Sequence, residues 1–309
     1  MVQNAHITLY GHSRSPFCHR VHLALEEAKA DYTFYAVDIR DQPLMAWYAE
    51  TINPVGKQIP AITYGPKGDP RNPAPESAAI NESLVILEFL ADVFPEAHLL
   101  PVDPILRARV RLFINTVESK LVEGFRQFFF AYTPGADAVL LSGFEAIQAL
   151  LPPTGFAAGE WSLADIAAAP FTAWVYLMLE HDLGPFPAGE GLRLFELLKS
   201  PKFARLLAYI EEVQERPSFK RTFWGKVRWR QSVCGWCANA VTCDGLYRTS
   251  RLSSGEPTPA FSVSRLRFFQ GGVGVGRGGG SGELHPSGFM MRPPHLPSAN
   301  LARDVSPMF

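Results

Sequence analysis

The chain has 309 residues, with 29 Lys and Arg against 30 Asp and Glu, four cysteines and 47% hydrophobic residues. At roughly 150 residues per domain, this length predicts about two domains, and the formal net charge of −1 argues against strong electrostatic binding of nucleic acid or an anionic membrane. No run approaches the roughly 20 apolar residues of a spanning helix, and the first residues show no secretory leader. We therefore expect a cytoplasmic protein that binds neither nucleic acid nor a membrane.

The charges are unevenly distributed along the chain. Residues 1–225 carry 19 basic and 26 acidic side chains, a net charge of −7, whereas residues 226–309 carry 10 basic and 4 acidic ones, a net charge of +6. The second segment also holds 12 of the 25 glycines and has no hydrophobic periodicity. We therefore predict that residues 226–309 are a disordered tail or the product of a mispredicted gene model.

Residues 5–94 alternate between strand and helix patterns. Aromatic and β-branched runs predict strands at residues 6–10, 32–37, 59–64 and 78–80. Apolar residues at helical spacing predict helices at residues 16–29, 44–50 and 82–94. The resulting order, βαβ followed by ββα, predicts one compact α/β unit.

A loop with three prolines, residues 95–104, separates this unit from a second one. Residues 105–225 have an almost entirely helical pattern, with predicted helices at 105–132, 136–151, 163–181, 192–199 and 202–216. Ser162 and Asp165 have the spacing of a capping box at the start of one of these helices. The second unit is therefore predicted to be a helical bundle.

The first predicted helix begins at Ser15 and Pro16, because serine is favoured as an N-cap and proline at the first helical position. Free amides and a partial positive charge at a helix start stabilise an anion, which here could be a thiolate. Alternatively, Ser15 serves only as a helix cap.

The sequence Ser-Pro-Phe-Cys at 15–18 resembles the glutaredoxin Cys-Pro-Tyr-Cys with its first cysteine replaced. Ile-Pro at 59–60, entering the third strand, looks like the thioredoxin-fold proline that is cis and faces the active-site turn. Asn-Glu-Ser at 81–83 resembles the Glu-Ser pair of soluble glutathione transferases. Residues 5–225 as a whole resemble a cytosolic glutathione transferase, a thioredoxin-like domain followed by an all-helical domain, and most closely the omega and tau classes, including fungal omega-like forms with serine in place of the catalytic cysteine.

The resemblance implies a role for each matching residue. Ser15 would be the catalytic residue, hydrogen-bonding the glutathione sulfur, with Phe17 packed near it. The other implied contacts are Lys57 to the glycyl carboxylate, Gln58 as an additional contact, the Ile59 backbone beside Pro60 to the cysteinyl backbone, and Glu82 with Ser83 to the γ-glutamyl group. A cation for a carboxylate and a carboxylate for an ammonium are physically reasonable pairings.

The predicted function is conjugation of glutathione to small apolar electrophiles, with peroxide reduction as a further activity. Lowering a thiol pKa of about 8.5 by roughly two units, about 2.7 kcal/mol, makes the thiolate the major form at neutral pH. Serine at position 15 cannot form the mixed disulfide that thiol transfer requires. Glutathione would be a co-substrate, with no other cofactor.

Two alternative functions stay open. Cys18 lies three residues after Ser15, in the positive first turn of the helix, and a reactive Cys18 would make the protein a glutaredoxin-like thiol transferase. Cysteine is, however, also often buried as a small apolar side chain. The second alternative is a non-catalytic protein that binds glutathione or apolar ligands.

Five aromatic residues within eight positions of the first long helix predict a pocket for the electrophile, and we expect Phe128 or Tyr132 to line it. Core packing is the alternative for any single one. The apolar helix at 84–94 fits a homodimer interface, or burial against the second domain. The spacing Cys234-x-x-Cys237-x5-Cys243 lacks a nearby fourth ligand, and no metal site is predicted.

Overall fold

The strand-forming runs of the amino-terminal part pair into a single mixed sheet. In the computed structural model, which describes residues 5–38 and 40–223, the strand order is β2-β1-β3-β4. The strands are β1 (His6–Gly11), β2 (Tyr32–Ala36), β3 (Ala61–Gly65) and β4 (Ala78–Asn81). β1 runs parallel to β2 and antiparallel to β3, and β3 runs antiparallel to β4.

Three helices accompany this sheet and complete the thioredoxin-like α/β domain. They are α1 (Pro16–Glu27), α2 (Gln42–Thr51) and α3 (Ser83–Val93). The parallel β1–β2 pair needs a crossover connection, which α1 supplies, whereas the antiparallel β3–β4 pair is joined by a loop. The predicted fold class is therefore confirmed for this part of the chain.

The rest of the described chain is helical, as predicted. After a 3₁₀ turn at Pro95–Ala97, the first long helix runs through α4 (Pro104–Thr116), a π-helical segment (Val117–Val122), α5 (Glu123–Arg126) and a second π-helical segment (Gln127–Ala131). It is followed by α6 (Ala136–Leu150), α7 (Leu163–Glu180), α8 (Glu190–Leu198), a 3₁₀ turn (Pro201–Phe203), α9 (Ala204–Glu215) and α10 (Pro217–Thr222).

Several element limits differ from the predictions by one or two residues, and three differences affect the architecture. The third strand begins at Ala61 rather than at residue 59, and the peptide between Ile59 and Pro60 precedes it. The predicted helix at 105–132 is continuous but contains the two π-helical segments. The short helix α10, which begins at a proline directly after α9, was not predicted.

The core of the helical region is built around α7. Ser162 precedes this helix, and its backbone amide donates to Oδ2 of Asp165 at 2.9 Å, so the predicted capping box is confirmed. α7 is long and apolar enough to cross a membrane by length and composition alone, but 83% of it is buried inside the protein. It is therefore the central core helix of the bundle.

The predicted tail at 226–309, including Cys234, Cys237 and Cys243, lies outside the described residues.

Candidate functional site

The start of α1 presents a serine hydroxyl at the predicted position. Ser15 is the N-cap in extended conformation, Pro16 is the first helical residue, and Oγ of Ser15 accepts a hydrogen bond from the Cys18 amide at 3.3 Å. The predicted cap is thus confirmed. Because the hydroxyl accepts from the backbone, its own proton remains available for an acceptor placed at the helix N-terminus.

Cys18 lies one turn further along α1 and points into the protein. Its side chain is only 3% exposed, and Sγ accepts a hydrogen bond from the His12 amide at 3.4 Å. A Cβ built on Gly11 would lie 2.9 Å from this sulfur, so the glycine allows the strand to approach it. Burial raises the pKa of Cys18 to about 11, which keeps the thiol protonated at neutral pH.

The loop between α2 and β3 carries Lys57 and Gln58, whose side chains are exposed, and Ile59. Lys57 has a φ of 54°, in the left-handed region, and the Ile59–Pro60 peptide is cis, as the resemblance implied. The left-handed conformation at a non-glycine residue is held by its surroundings, because it is unfavourable on its own.

Asn53 supplies much of that support, and no pattern in the sequence predicts this role. This buried residue donates from Nδ2 to the Gln58 carbonyl at 2.9 Å, while its Oδ1 accepts from the Gly56 amide at 2.9 Å and from Nδ2 of Asn81 at 3.0 Å. The hydroxyl of Tyr48 donates to the same Gln58 carbonyl at 2.8 Å. One side chain therefore joins the loop at 53–60 to the end of β4.

The turn from β4 into α3 brings Glu82 and Ser83 to the same side as this loop. Glu82 has φ 65° and ψ 115°, an unfavourable conformation for a residue with a Cβ, which costs of order 1–3 kcal/mol and recurs at functional sites. Ser83 is buried, and its Oγ accepts from Nη1 of Arg20 at 3.3 Å. Its hydroxyl proton is therefore directed to a different acceptor.

Arg20 is fully buried beneath Ser83 and links the two parts of the chain. Its Nε donates to the Ala167 carbonyl at 2.9 Å, its Nη2 lies 2.6 Å from Oε1 of Glu118, and its guanidinium lies 4.5 Å from the centre of the Phe171 ring. Burial lowers the pKa of Arg20, and Glu118 acts in the opposite direction. A lone arginine among the apolar positions of α1 was the sequence signal for this role.

These elements border a cleft with a volume of about 720 Å³. Its wall on the α/β side contains Phe17, Gln58, Ile59, Pro60, Glu82 and Ser83. Its wall on the helical side contains Glu118, Glu123, Arg126, Gln127, Phe130 and Ala131. The cleft thus brings together six of the predicted site residues, whereas Ser15 and Lys57 are not among the residues that line it.

The structure corrects the prediction for the aromatic wall. Phe128 is fully buried and packs against Phe186, with ring centres 4.7 Å apart, so it belongs to the core rather than to the cleft. Tyr132 is half-buried and also packs on Phe128 and Phe186. The aromatic residue that this segment gives to the cleft is Phe130, which is 54% exposed.

Within the described ranges, 5–38 and 40–223, no group of three or more His, Cys, Asp or Glu side chains is placed to hold a metal ion.

Comparisons with known proteins agree with this architecture. Residues 14–93 match the family described as "Glutathione S-transferase, N-terminal domain". The chain is 40% identical to glutathione transferase Omega 1C from Trametes versicolor, with a TM-score of 0.70 over 76% of this chain and 96% of that one. The chain belongs to the glutathione transferase family.

Other relatives of this glutathione transferase come from several organisms. Omega 2S from Trametes versicolor, solved in complex with 2,4-dihydroxybenzophenone, is 41% identical with a TM-score of 0.67, covering 81% of this chain and 99% of that one. Maleylacetoacetate isomerase from Rattus norvegicus is 30% identical over 58% of this chain and 82% of its own length. Glutathione S-transferase U8 from Arabidopsis thaliana is 26% identical over 66% and 84%. The protein is therefore an enzyme of a family whose co-substrate is glutathione.

Proposed function

We propose that this glutathione transferase conjugates glutathione to small apolar electrophiles, with Ser15 as the catalytic residue, and reduces peroxides as a further activity. One observation carries the proposal: the hydroxyl of Ser15 caps α1, whereas Cys18 is buried with a pKa of about 11. A hydroxyl donor at a helix N-terminus stabilises a bound thiolate. A buried, protonated thiol does not support the glutaredoxin-like alternative, because the thiolate is the reactive form.

In this proposal glutathione lies along the α/β wall of the cleft. Lys57 and Gln58 bind its glycyl end, the Ile59 backbone beside Pro60 pairs with its cysteinyl backbone, and Glu82 and Ser83 bind its γ-glutamyl group. Phe17 packs near the sulfur. The hydrogen bond from Arg20 to Ser83 supports this assignment, since it leaves the serine proton free for the γ-glutamyl carboxylate.

Two variants test the catalytic assignment. Ser15→Ala should lower kcat/KM for conjugation about tenfold or more, because a hydrogen bond to a charged group is worth about 1.5–3 kcal/mol. Cys18→Ser should retain conjugation, and neither the wild type nor the variants should release glutathione from a mixed disulfide. Loss of activity in Cys18→Ser together with retention in Ser15→Ala would overturn the assignment.

A second candidate function is storage of flat aromatic ligands. The complex of the related Omega 2S with 2,4-dihydroxybenzophenone favours it, as does the half-exposed Phe130 in the cleft. Tight binding of a hydroxybenzophenone by the wild type, with no turnover of any electrophile in a broad panel, would favour storage over catalysis.

We further propose a cytoplasmic homodimer. α3 and α4 expose the apolar side chains of Val85, Ile105 and Leu112, and exposed apolar surface of this kind marks protein interfaces. The domain limits at 5–94 and 105–225 belong to the same proposal. Analytical ultracentrifugation should give twice the mass of the chain, and Leu112→Glu should give the monomer; a monomeric wild type would refute the dimer.

A further inference from the structure

The helical wall of the cleft combines an exposed ring with a cation. Phe130 is 54% exposed, and Arg126, four residues earlier on the same helical run, is exposed and lines the cleft beside it. The guanidinium of Arg126 lies 5.6 Å from the centre of the Phe17 ring, so the cation reaches across to the start of α1. An exposed ring and a cation that line the same wall of the cleft are the elements of a site for an aromatic anion.

The cleft is also lined by three carboxylates, Glu82, Glu118 and Glu123. Glu118 forms the ion pair with the buried Arg20, and Oε1 of Glu123 accepts a hydrogen bond from Nε2 of Gln127 at 2.8 Å. Glu82 lies on the opposite wall, where we have proposed that it binds the ammonium group of glutathione. Among the described residues, no carboxylate lies within ion-pairing distance of Arg126.

We propose that the second substrate is an electron-poor aryl halide that carries an acidic group, with Arg126 binding the acidic group and Phe130 packing on the ring. This inference rests on the proposed conjugation reaction and adds one negative charge to the otherwise apolar substrate proposed for it. In that reaction the glutathione thiolate, having lost its proton to solvent, attacks an electron-poor ring carbon. A carbon–sulfur bond forms, the carbon–halogen bond breaks, and the halide leaves with the bonding electrons. Arg126 is a specificity-determining residue that orients the ring and takes no part in the bond changes.

A matched pair of substrates isolates this charge. 4-Chloro-3,5-dinitrobenzoate and its methyl ester have the same ring, the same leaving group and the same attacked carbon, and they differ in charge at neutral pH. The measured quantity is the ratio of kcat/KM for the acid to kcat/KM for the ester, because any effect of a variant on glutathione binding cancels in this ratio. Arg126 and Phe130 are both exposed, so their variants should fold normally.

Arg126→Gln should lower the acid-to-ester ratio about tenfold, since it removes a charge-assisted contact, and Arg126→Lys should restore most of it. Lys120→Gln removes the same charge from an exposed position on the same helical run, outside the cleft lining, and should leave the ratio unchanged. Phe130→Ala should lower kcat/KM for both substrates alike. High salt should reduce the wild-type preference for the acid.

The outcomes separate this inference from the function on which it rests. A wild type that conjugates neither compound but turns over other electrophiles of the broad panel would overturn the substrate class alone, and a wild type that turns over none of them would overturn the conjugation proposal as well. A wild type that conjugates both, with a ratio that stays within twofold in Arg126→Gln, would overturn only the assignment of Arg126. If Lys120→Gln lowers the ratio as much as Arg126→Gln does, the preference for the acid reflects the overall charge of the protein and not a contact with Arg126. That result would also overturn the assignment of Arg126.

Discussion

Removing either partner of the buried ion pair between Arg20 and Glu118 should destabilise the protein, and the two losses should differ. Arg20 is fully buried, whereas the Glu118 side chain is 30% exposed. In Arg20→Met, the remaining carboxylate can recover contact with water, although Ser83 and the Ala167 carbonyl also lose a donor. In Glu118→Met, a guanidinium stays buried without its counter-ion. We expect losses of about 3 kcal/mol for Arg20→Met and about 4–5 kcal/mol for Glu118→Met.

Urea unfolding of the two single variants and of the double variant, at one protein concentration, measures these losses. The double variant should lose at least about 2 kcal/mol less than the sum of the single losses, because each single change leaves a charge that the double change removes. Arg109→Met, at an exposed position of α4, should change stability by less than about 0.5 kcal/mol. Additive single losses, or a loss under about 1 kcal/mol for Arg20→Met, would refute the reasoning.

Three further variants test other parts of the structure. Asn53→Asp removes the amide donor to the Gln58 carbonyl and should raise the KM for glutathione about tenfold, whereas the exposed Asn72→Asp should not; equal KM values would contradict the positioning role. Burial, with a smaller contribution from His22, lowers the pKa of His19 to about 3. The neutral His19 side chain therefore stabilises the fold fully above pH 6.5, and this stabilisation is lost as the pH falls from 6.5 towards 3. The difference in unfolding free energy between wild type and His19→Gln should therefore shrink by about 2 kcal/mol from pH 7 to pH 5, and a constant difference would refute this. Phe128→Ala should cost about 3–5 kcal/mol of stability while leaving the KM for electrophiles nearly unchanged. A small loss of stability with a clearly raised KM would show that Phe128 lines the cleft.

Local signals in the sequence predicted two helix starts correctly. A helix start favours a cap such as Ser15 and a proline such as Pro16 after it, and both lie where the pattern placed them. The same applies to the capping box at Ser162 and Asp165. These features depend on hydrogen bonds between residues three positions apart, so a short stretch of sequence contains the whole interaction.

Contacts between distant segments were not predictable in this way. Asn53 reaches Asn81, and Arg20 reaches Glu118 and Ala167, only after the sheet and the bundle have formed. In the sequence Asn53 is a single polar side chain without a pattern, and the position of Arg20 among apolar residues gives no indication of its partners. These residues matter because they are buried. A buried polar group without a hydrogen-bond partner is costly, so the fold must supply the partners.

The faces to which the aromatic residues at 125–132 point were also not predictable from the sequence. Five aromatic residues lie within eight positions, and an α-helix of 3.6 residues per turn assigns each of them to a face. The π-helical segments Val117–Val122 and Gln127–Ala131 change that phase, because a π turn closes its hydrogen bond one residue later. Phe128 faces Phe186 in the core, whereas Phe130, two positions later, faces the cleft. Arg126 lies four residues before Phe130, a spacing that puts two side chains on one face of a helix, so the segment that supplies the exposed ring also supplies the cation of the cleft wall.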